Sequence, residues 1–173
     1  QEALDEIKAQ VDLLEDIGLG HLTLDRSSKS LRSSEIQRIR VANQILVPLS
    51  NVLYVFDEPS IGLHRTENER LIHHFKQLVK KGNTVIVVEH NLETISSADH
   101  IIEMGPGAGE GGGNIIYSGK PKLSKFDNVN ALKVMPTKRK WIELSEPSIF
   151  GKTFSNIKIP VSEIVAIEGS SGS

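Results

Sequence analysis

Three ionisable residues stand where an apolar run gives way to a loop. Asp57 and Glu58 follow Val52-Leu53-Tyr54-Val55-Phe56, and His90 follows Thr84-Val85-Ile86-Val87-Val88-Glu89. Apolar runs rich in β-branched residues read as strands covered on both faces of a parallel sheet. Ligands of such sheets collect outside the carboxyl ends of the strands, so Asp57, Glu58 and His90 are expected at one edge. Their chemistry together is that of nucleotide hydrolysis. One carboxylate, Asp57, suits Mg²⁺, a hard cation that prefers oxygen ligands. The other, Glu58, points elsewhere because strand side chains alternate, and it can polarise an attacking water. His90 can hydrogen-bond a terminal phosphate. Taken singly, each has a plainer reading: acids capping a turn that Pro59 enforces, and a structural histidine. The pairing of two such strands favours the catalytic reading.

Other segments bear on phosphate binding. Ser33 and Ser34 stand where a helix should begin, and free N–H groups at a helix start serve either an anion or a simple cap. The loop from Gly105 to Gly113 is glycine-dense but lacks the P-loop pattern, which needs a Gly-Lys followed by Ser or Thr; Gly119-Lys120 is followed by Pro121. The end of the chain is different. Ile164 to Glu168 reads as a strand, and Gly169-Ser170-Ser171-Gly172-Ser173 follows it. A P-loop begins in this way, although the lysine that reaches the β- and γ-phosphates is not in the segment. A glycine/serine tail is the alternative. Lys138-Arg139-Lys140-Trp141 joins charge to an aromatic, as phosphate-contacting clusters do; a solvated linker entering a strand is the plainer account.

The elements that must position these residues are legible in the periodicity. Leu4, Ile7, Val11 and Leu14 predict a core-facing helix over 2–17 that stops at Gly18. A serine-rich connection follows. Ser34-Glu35-Ile36-Gln37 fits a capping box with Ser34 as N-cap, and the helix runs to about Val47 with Ile36, Ile39, Asn43 and Leu46 near one face, closed by Pro48. Thr66-Glu67-Asn68-Glu69 fits a second box, and its helix presents Leu71, Ile72, Phe75, Leu78 and Val79. Lys80, Lys81 and Gly82 suit its carboxyl end. This gives a strand–helix–strand unit. Asn91 caps a short helix to about Ser97, and Ala98–Met104 and Asn114–Ser118 read as strands. Residues 121–136 are weakly patterned. Beyond Lys140 the pattern turns to strands: 141–144, 157–159 and 163–168.

Composition sets the class. With 173 residues, 38% hydrophobic and 24% charged, the chain is an ordinary globular one. A net charge of −2 gives no global pull toward nucleic acid. No cysteine is present, so a disulfide framework and a thiolate zinc site are excluded from this segment. No apolar run is long enough for a bilayer and no signal peptide is visible, so a cytoplasmic setting without membrane contact is expected. The chain begins with Gln1, which fits a segment of a longer protein.

The motifs now assemble into a resemblance. Asp57-Glu58-Pro59-Ser60-Ile61-Gly62-Leu63-His64 resembles the Walker B segment and D-loop of the UvrA family, the damage-recognition ATPases of the bacterial excinuclease. Gly82-Asn83-Thr84-Val85-Ile86-Val87-Val88-Glu89-His90 resembles the family's switch-histidine strand, and Ala98 to Gly109 the segment after it. The resemblance implies an α/β fold: a partial ABC-ATPase, or P-loop NTPase, domain with a mostly parallel sheet flanked by helices, plus C-terminal β-strands. Residues 1–136 correspond to the carboxyl half of the first nucleotide-binding domain. Residues 137–173 correspond to a linker and the opening strands of the second, ending inside its Walker A loop.

The resemblance further implies ATP and Mg²⁺ as cofactors of the longer protein, Asp57 on the metal, and Glu58 and His90 as catalytic residues. Leu31, Arg32, Ser33, Ser34, Glu35, Gln37 and Ser60 become nucleotide contacts. Gly169, Ser171, Gly172 and Ser173 become the start of a second phosphate loop. Double-stranded DNA, the helicase-like partner UvrB and a homodimer are the implied partners, in nucleotide excision repair and the SOS response. The segment alone is expected to be inactive, because a complete Walker A loop is missing from it.

One departure stands out. The family signature Leu-Ser-Gly-Gly-Glu is here Leu31-Arg32-Ser33-Ser34-Glu35. Glycine lets the backbone approach phosphate closely, and serine adds a Cβ, so a weakened composite site is expected, with Arg32 either compensating as a charge or acting as a lock. A UvrA-like paralogue with a binding-only regulatory site therefore stays open, as does an ABC-type drug-resistance or transport ATPase.

Overall fold

The computed structural model describes residues 1–47, 49–105, 114–121, 140–149, 152–153 and 156–168. Pro48, most of the glycine-dense loop, the weakly patterned 122–136 stretch, Lys138, Arg139 and all of Gly169 to Ser173 lie outside them.

Four helices and nine strands are described: α1 (Glu2–Asp16), α2 (Ser33–Leu46), β1 (Leu53–Asp57), α3 (Arg65–Lys80), β2 (Thr84–Val88), α4 (Leu92–Ser97), β3 (His100–Met104), β4 (Ile115–Gly119), β5 (Trp141–Leu144), β6 (Ser148–Ile149), β7 (Lys152–Thr153), β8 (Ile157–Pro160) and β9 (Ile164–Glu168). The main sheet has the order β1-β2-β9-β3-β4. β1, β2, β9 and β3 run parallel and β4 is antiparallel on the edge. β5 and β8 form an antiparallel ribbon, and β6 and β7 a short one. The mostly parallel sheet with flanking helices and further C-terminal strands is the α/β arrangement expected.

The late strand β9 sits in the middle of the sheet. β2 and β3 do not pair with each other; each pairs with β9. The approach to β9 is fixed by side chains: Thr84 Oγ1 accepts from Ser162 N–H at 2.8 Å, and Asp99 Oδ2 accepts from Ile164 N–H at 3.0 Å. The terminal strands thus pack back onto the earlier part of the chain.

Two apolar layers cover the sheet. On one face, Tyr54, Phe56, Val85, Val87, Ile101, Ile164 and Ala166 meet the helices through Leu71, Phe75, Leu78 and Ile95. Phe56 and Phe75 bring their rings to 4.7 Å, an interaction beyond simple area burial. On the other face, Ile86, Ile102 and Val165 meet Ile142, Ile157 and Ile159 of the β5–β8 ribbon.

Helix ends explain the punctuation. Gly18 N–H bonds to Glu15 O and Leu19 N–H to Leu14 O, with Gly18 at φ 75°. Gly82 N–H bonds to Val79 O and Asn83 N–H to Leu78 O, with Gly82 at φ 84°. Both are Schellman closures, which need a residue in the left-handed region and so favour glycine.

Four expectations need correction. The α1 stripe does not face the core: Leu4, Ile7 and Val11 are 66%, 57% and 46% exposed, and only the carboxyl end packs, through Leu13, Leu14 and Ile17. On α2, Ile36 and Asn43 face outward, and Val41 and Ala42 are buried instead. β1 is an edge strand, so Leu53 and Val55 are about half exposed rather than covered on both faces. Both capping boxes start two residues earlier than the sequence pattern suggests. Glu35 accepts from Arg32 N–H at 2.7 Å and Glu67 from His64 N–H at 2.8 Å. The glutamate's reach back to the N-cap amide sets the start in each case, whatever side chain the N-cap carries.

Candidate active site

Parallel pairing aligns the carboxyl ends of β1 and β2, with Asp57 opposite Val88 and Val88 opposite Ile167 of β9. Glu58 N–H still bonds to Val88 O at 2.9 Å, and Glu89 N–H to Ile167 O at 2.9 Å. The backbone then breaks from the sheet. Glu58 takes φ 43°, in the left-handed region that costs an L-residue about 1–2 kcal/mol. Ile61 N–H bonds to Glu58 O, and Leu63 N–H to Ser60 O. This tight turn directs the Glu58 side chain to the neighbouring strand's loop, where Oε1 lies 3.8 Å from His90 Nδ1. The separation exceeds a hydrogen bond, and both groups are open to solvent. Asp57 is likewise exposed. The three ionisable residues therefore stand at the carboxyl ends of adjacent strands, on one edge of the sheet.

The Leu31–Gln37 segment touches this edge. α2 begins at Ser33, and Gln37, at the start of its second turn, donates from Nε2 to the main-chain oxygen of Asp57 at 2.9 Å. Arg32 and Ser33 are exposed, and Leu31 and Ser34 are half-buried. Glu35 turns inward. Its carboxylate accepts from Arg32 N–H, sits 2.9 Å from His21 Nε2, and has Arg26 Nη1 at 3.9 Å. The Arg32 N–H bond first, then the His21 contact and the Arg26 charge, hold Glu35 below the usual carboxylate range despite its burial. Its described contacts hold the loop before the helix.

Two residues that sequence reasoning missed organise the loops. Arg38 donates to the main-chain oxygens of Gly18, at 3.2 Å, and Gly62. It thereby ties the end of α1 to the turn after Ser60. Glu89, 3% exposed, accepts from Ser60 N–H at 2.8 Å, His90 N–H at 3.1 Å and Asn91 N–H at 3.2 Å. Arg38 gave no signal beyond its place beside Gln37. Glu89 gave no signal beyond its place before His90. Ser60 is buried at the turn, held by that amide. Asn91 caps α4 as its sequence position predicts, accepting from Glu93 N–H and Thr94 N–H.

Gly169, Ser171, Gly172 and Ser173 lie outside the described residues. Among the described residues, no group of three or more His, Cys, Asp or Glu is arranged to hold a metal. Mg²⁺ in nucleotide sites commonly takes one or two carboxylates and completes its shell with phosphates and water. The exposed Asp57 carboxylate at a strand end fits that mode. No described helix is long and apolar enough to cross a membrane.

No family model matches the chain. It is similar to UvrABC system protein A from Helicobacter pylori, 41% identical over 98% of this chain. The same protein from Staphylococcus aureus is 42% identical over 99% of the chain, and that from Methanothermobacter thermautotrophicus 43% identical over 100%. The chain spans only about a fifth of the length of these relatives. Among solved structures, UvrA2 from Deinococcus radiodurans matches 88% of the chain and 20% of its own at a TM-score of 0.61 and 36% identity. The resemblance to the UvrA family thus extends over nearly the whole chain, which corresponds to a fragment of such a protein.

Proposed function

We propose that this chain supplies the hydrolytic half of an ATP site in a UvrA-type ATPase of nucleotide excision repair. The observation that carries this reading is the convergence of Asp57, Glu58 and His90 at the carboxyl edge of adjacent parallel strands, with Glu58 Oε1 3.8 Å from His90 Nδ1. Asp57 would hold Mg²⁺, which when bound neutralises phosphate charge. Glu58 orients and deprotonates the attacking water. His90 contacts the γ-phosphate. Catalysis of this kind is largely positioning and charge stabilisation, and the turn that fixes Glu58 serves the first of these.

The domain reading is part of the proposal: residues 1–136 finish one nucleotide-binding domain, and 137–173 open the next. In the longer protein, ATP turnover would serve damage verification on double-stranded DNA and loading of UvrB, with two copies acting together. Arg32, Ser33 and Ser34 in place of Ser-Gly-Gly support a second reading, in which one composite site binds ATP without turning it over.

Calorimetry on the 173-residue chain tests the half-site reading. Mg²⁺ with ATP should give no binding heat, because a complete phosphate loop is missing from the segment. Micromolar binding would mean that a pocket forms without one, and the domain reading would fall.

A further inference from the structure

The buried carboxylate of Glu89 receives amides from two different loops. Oε1 accepts from Ser60, two residues after Glu58, at 2.8 Å. Oε2 accepts from His90 and Asn91 at 3.1 and 3.2 Å. Ser60 and Glu89 are 29 residues apart in sequence. No other described side chain is hydrogen-bonded to the backbone of both loops. A buried backbone donor left without its acceptor is costly, so neither loop can shift without breaking a bond that also concerns the other.

We propose that Glu89 is a positioning residue that locks the Glu58 turn to the His90 loop, so that the hydrolytic carboxylate and the phosphate-contacting histidine move as one unit. The proposal rests on the ATPase reading for its consequence in turnover, but the mechanical link is independent of it. The chemistry of the link requires a carboxylate. Both oxygens act only as acceptors toward N–H donors. Glu89→Gln keeps the shape but offers one acceptor and one NH₂ group, which must face either Ser60 N–H or the His90 and Asn91 amides. One side of the lock then sets donor against donor.

Two readouts separate this role from a merely structural one. The first is amide hydrogen exchange on the 173-residue chain. In the unsubstituted chain, Ser60, His90 and Asn91 should share one opening rate, slower than exposed loop amides. In Glu89→Gln all three should exchange faster while β2 and α3 keep their protection. The second is steady-state kinetics in a full-length UvrA-type protein containing these residues. There Glu89→Gln should lower kcat by about a hundredfold, the scale on which small misplacements act, with KM for ATP changed by no more than about twofold.

Separate opening rates for Ser60 and His90 in the unsubstituted chain would overturn the proposal, and this holds even if the variant does not fold. Loosening of both loops with unchanged kcat would overturn it as well. Absence of turnover in the unsubstituted protein would refute the ATPase reading instead, leaving the exchange rates to decide the link.

Discussion

Oε1 of Glu58 lies 3.8 Å from Nδ1 of His90, across the junction of two parallel strands. Both side chains are solvent-accessible, so the pair adds little to stability. In the proposed ATP site, the pair would place a base and a phosphate-contacting group on one ligand. The backbone at Glu58 carries a conformational cost for that placement, with φ at 43°.

Glu58→Gly therefore separates stability from function. Glycine adopts positive φ freely, offset by its greater freedom in the unfolded chain. The variant should unfold at the same temperature or slightly higher, by up to about 1 kcal/mol. Thermal denaturation checks this, and a marked loss of stability would show that the Glu58 side chain holds the turn.

Arg38 bridges the carbonyl oxygens of Gly18 and Gly62. Arg38→Ala should cost about 1 kcal/mol, because it removes a part-buried hydrogen bond to Gly18 and an exposed one to Gly62. Arg38→Lys should recover only part of it, since an ammonium lacks the planar fork that spans two carbonyls. Gly62→Ala should also destabilise, because Gly62 is at φ 71° and a Cβ there would meet Arg38 Nη2 at 2.9 Å. Urea unfolding of the three variants orders them.

Acid should loosen the loop before α2. The folded pKa of Glu35 is lowered from an ordinary 4.5, chiefly by the Arg32 N–H bond. A carboxylate lowered in the folded state contributes stability that is present above its unfolded pKa and is lost as pH falls through the folded value. The loss should therefore begin below about pH 4.5 and deepen toward stronger acid. Glu35→Gln should flatten the acid limb of a stability–pH profile, and an unchanged limb would contradict the assignment.

Most of the architecture was legible, for reasons that also explain what was not. β2 and α3 were read well because burial on both faces, or an apolar stripe over more than two turns, leaves an unambiguous period; Val85 and Phe75 are almost wholly buried. β1 carries the same apolar run yet lies at the edge, since a run records composition and not the neighbour that is present. The α1 stripe illustrates the same limit. Ile7→Glu should change stability by less than about 0.5 kcal/mol, whereas Leu13→Ala should cost about 2–5 kcal/mol. The placement of Asp57, Glu58 and His90 at strand ends was legible because strand ends are local features. Arg38 and Glu89 were not, because both partners of Arg38 and the Ser60 partner of Glu89 lie 20 or more residues away, and all their partners are backbone atoms, which carry no side-chain signature.

In the proposed ATP site, Glu58 would activate the attacking water. The most direct test compares Glu58→Gln with the unsubstituted residue in a full-length UvrA-type protein, measuring ATP retention and turnover together. Glu58→Gln should keep ATP bound with affinity within about threefold and lose about a hundredfold or more in turnover, the contribution expected of a general base. Turnover unchanged by the substitution would contradict the account.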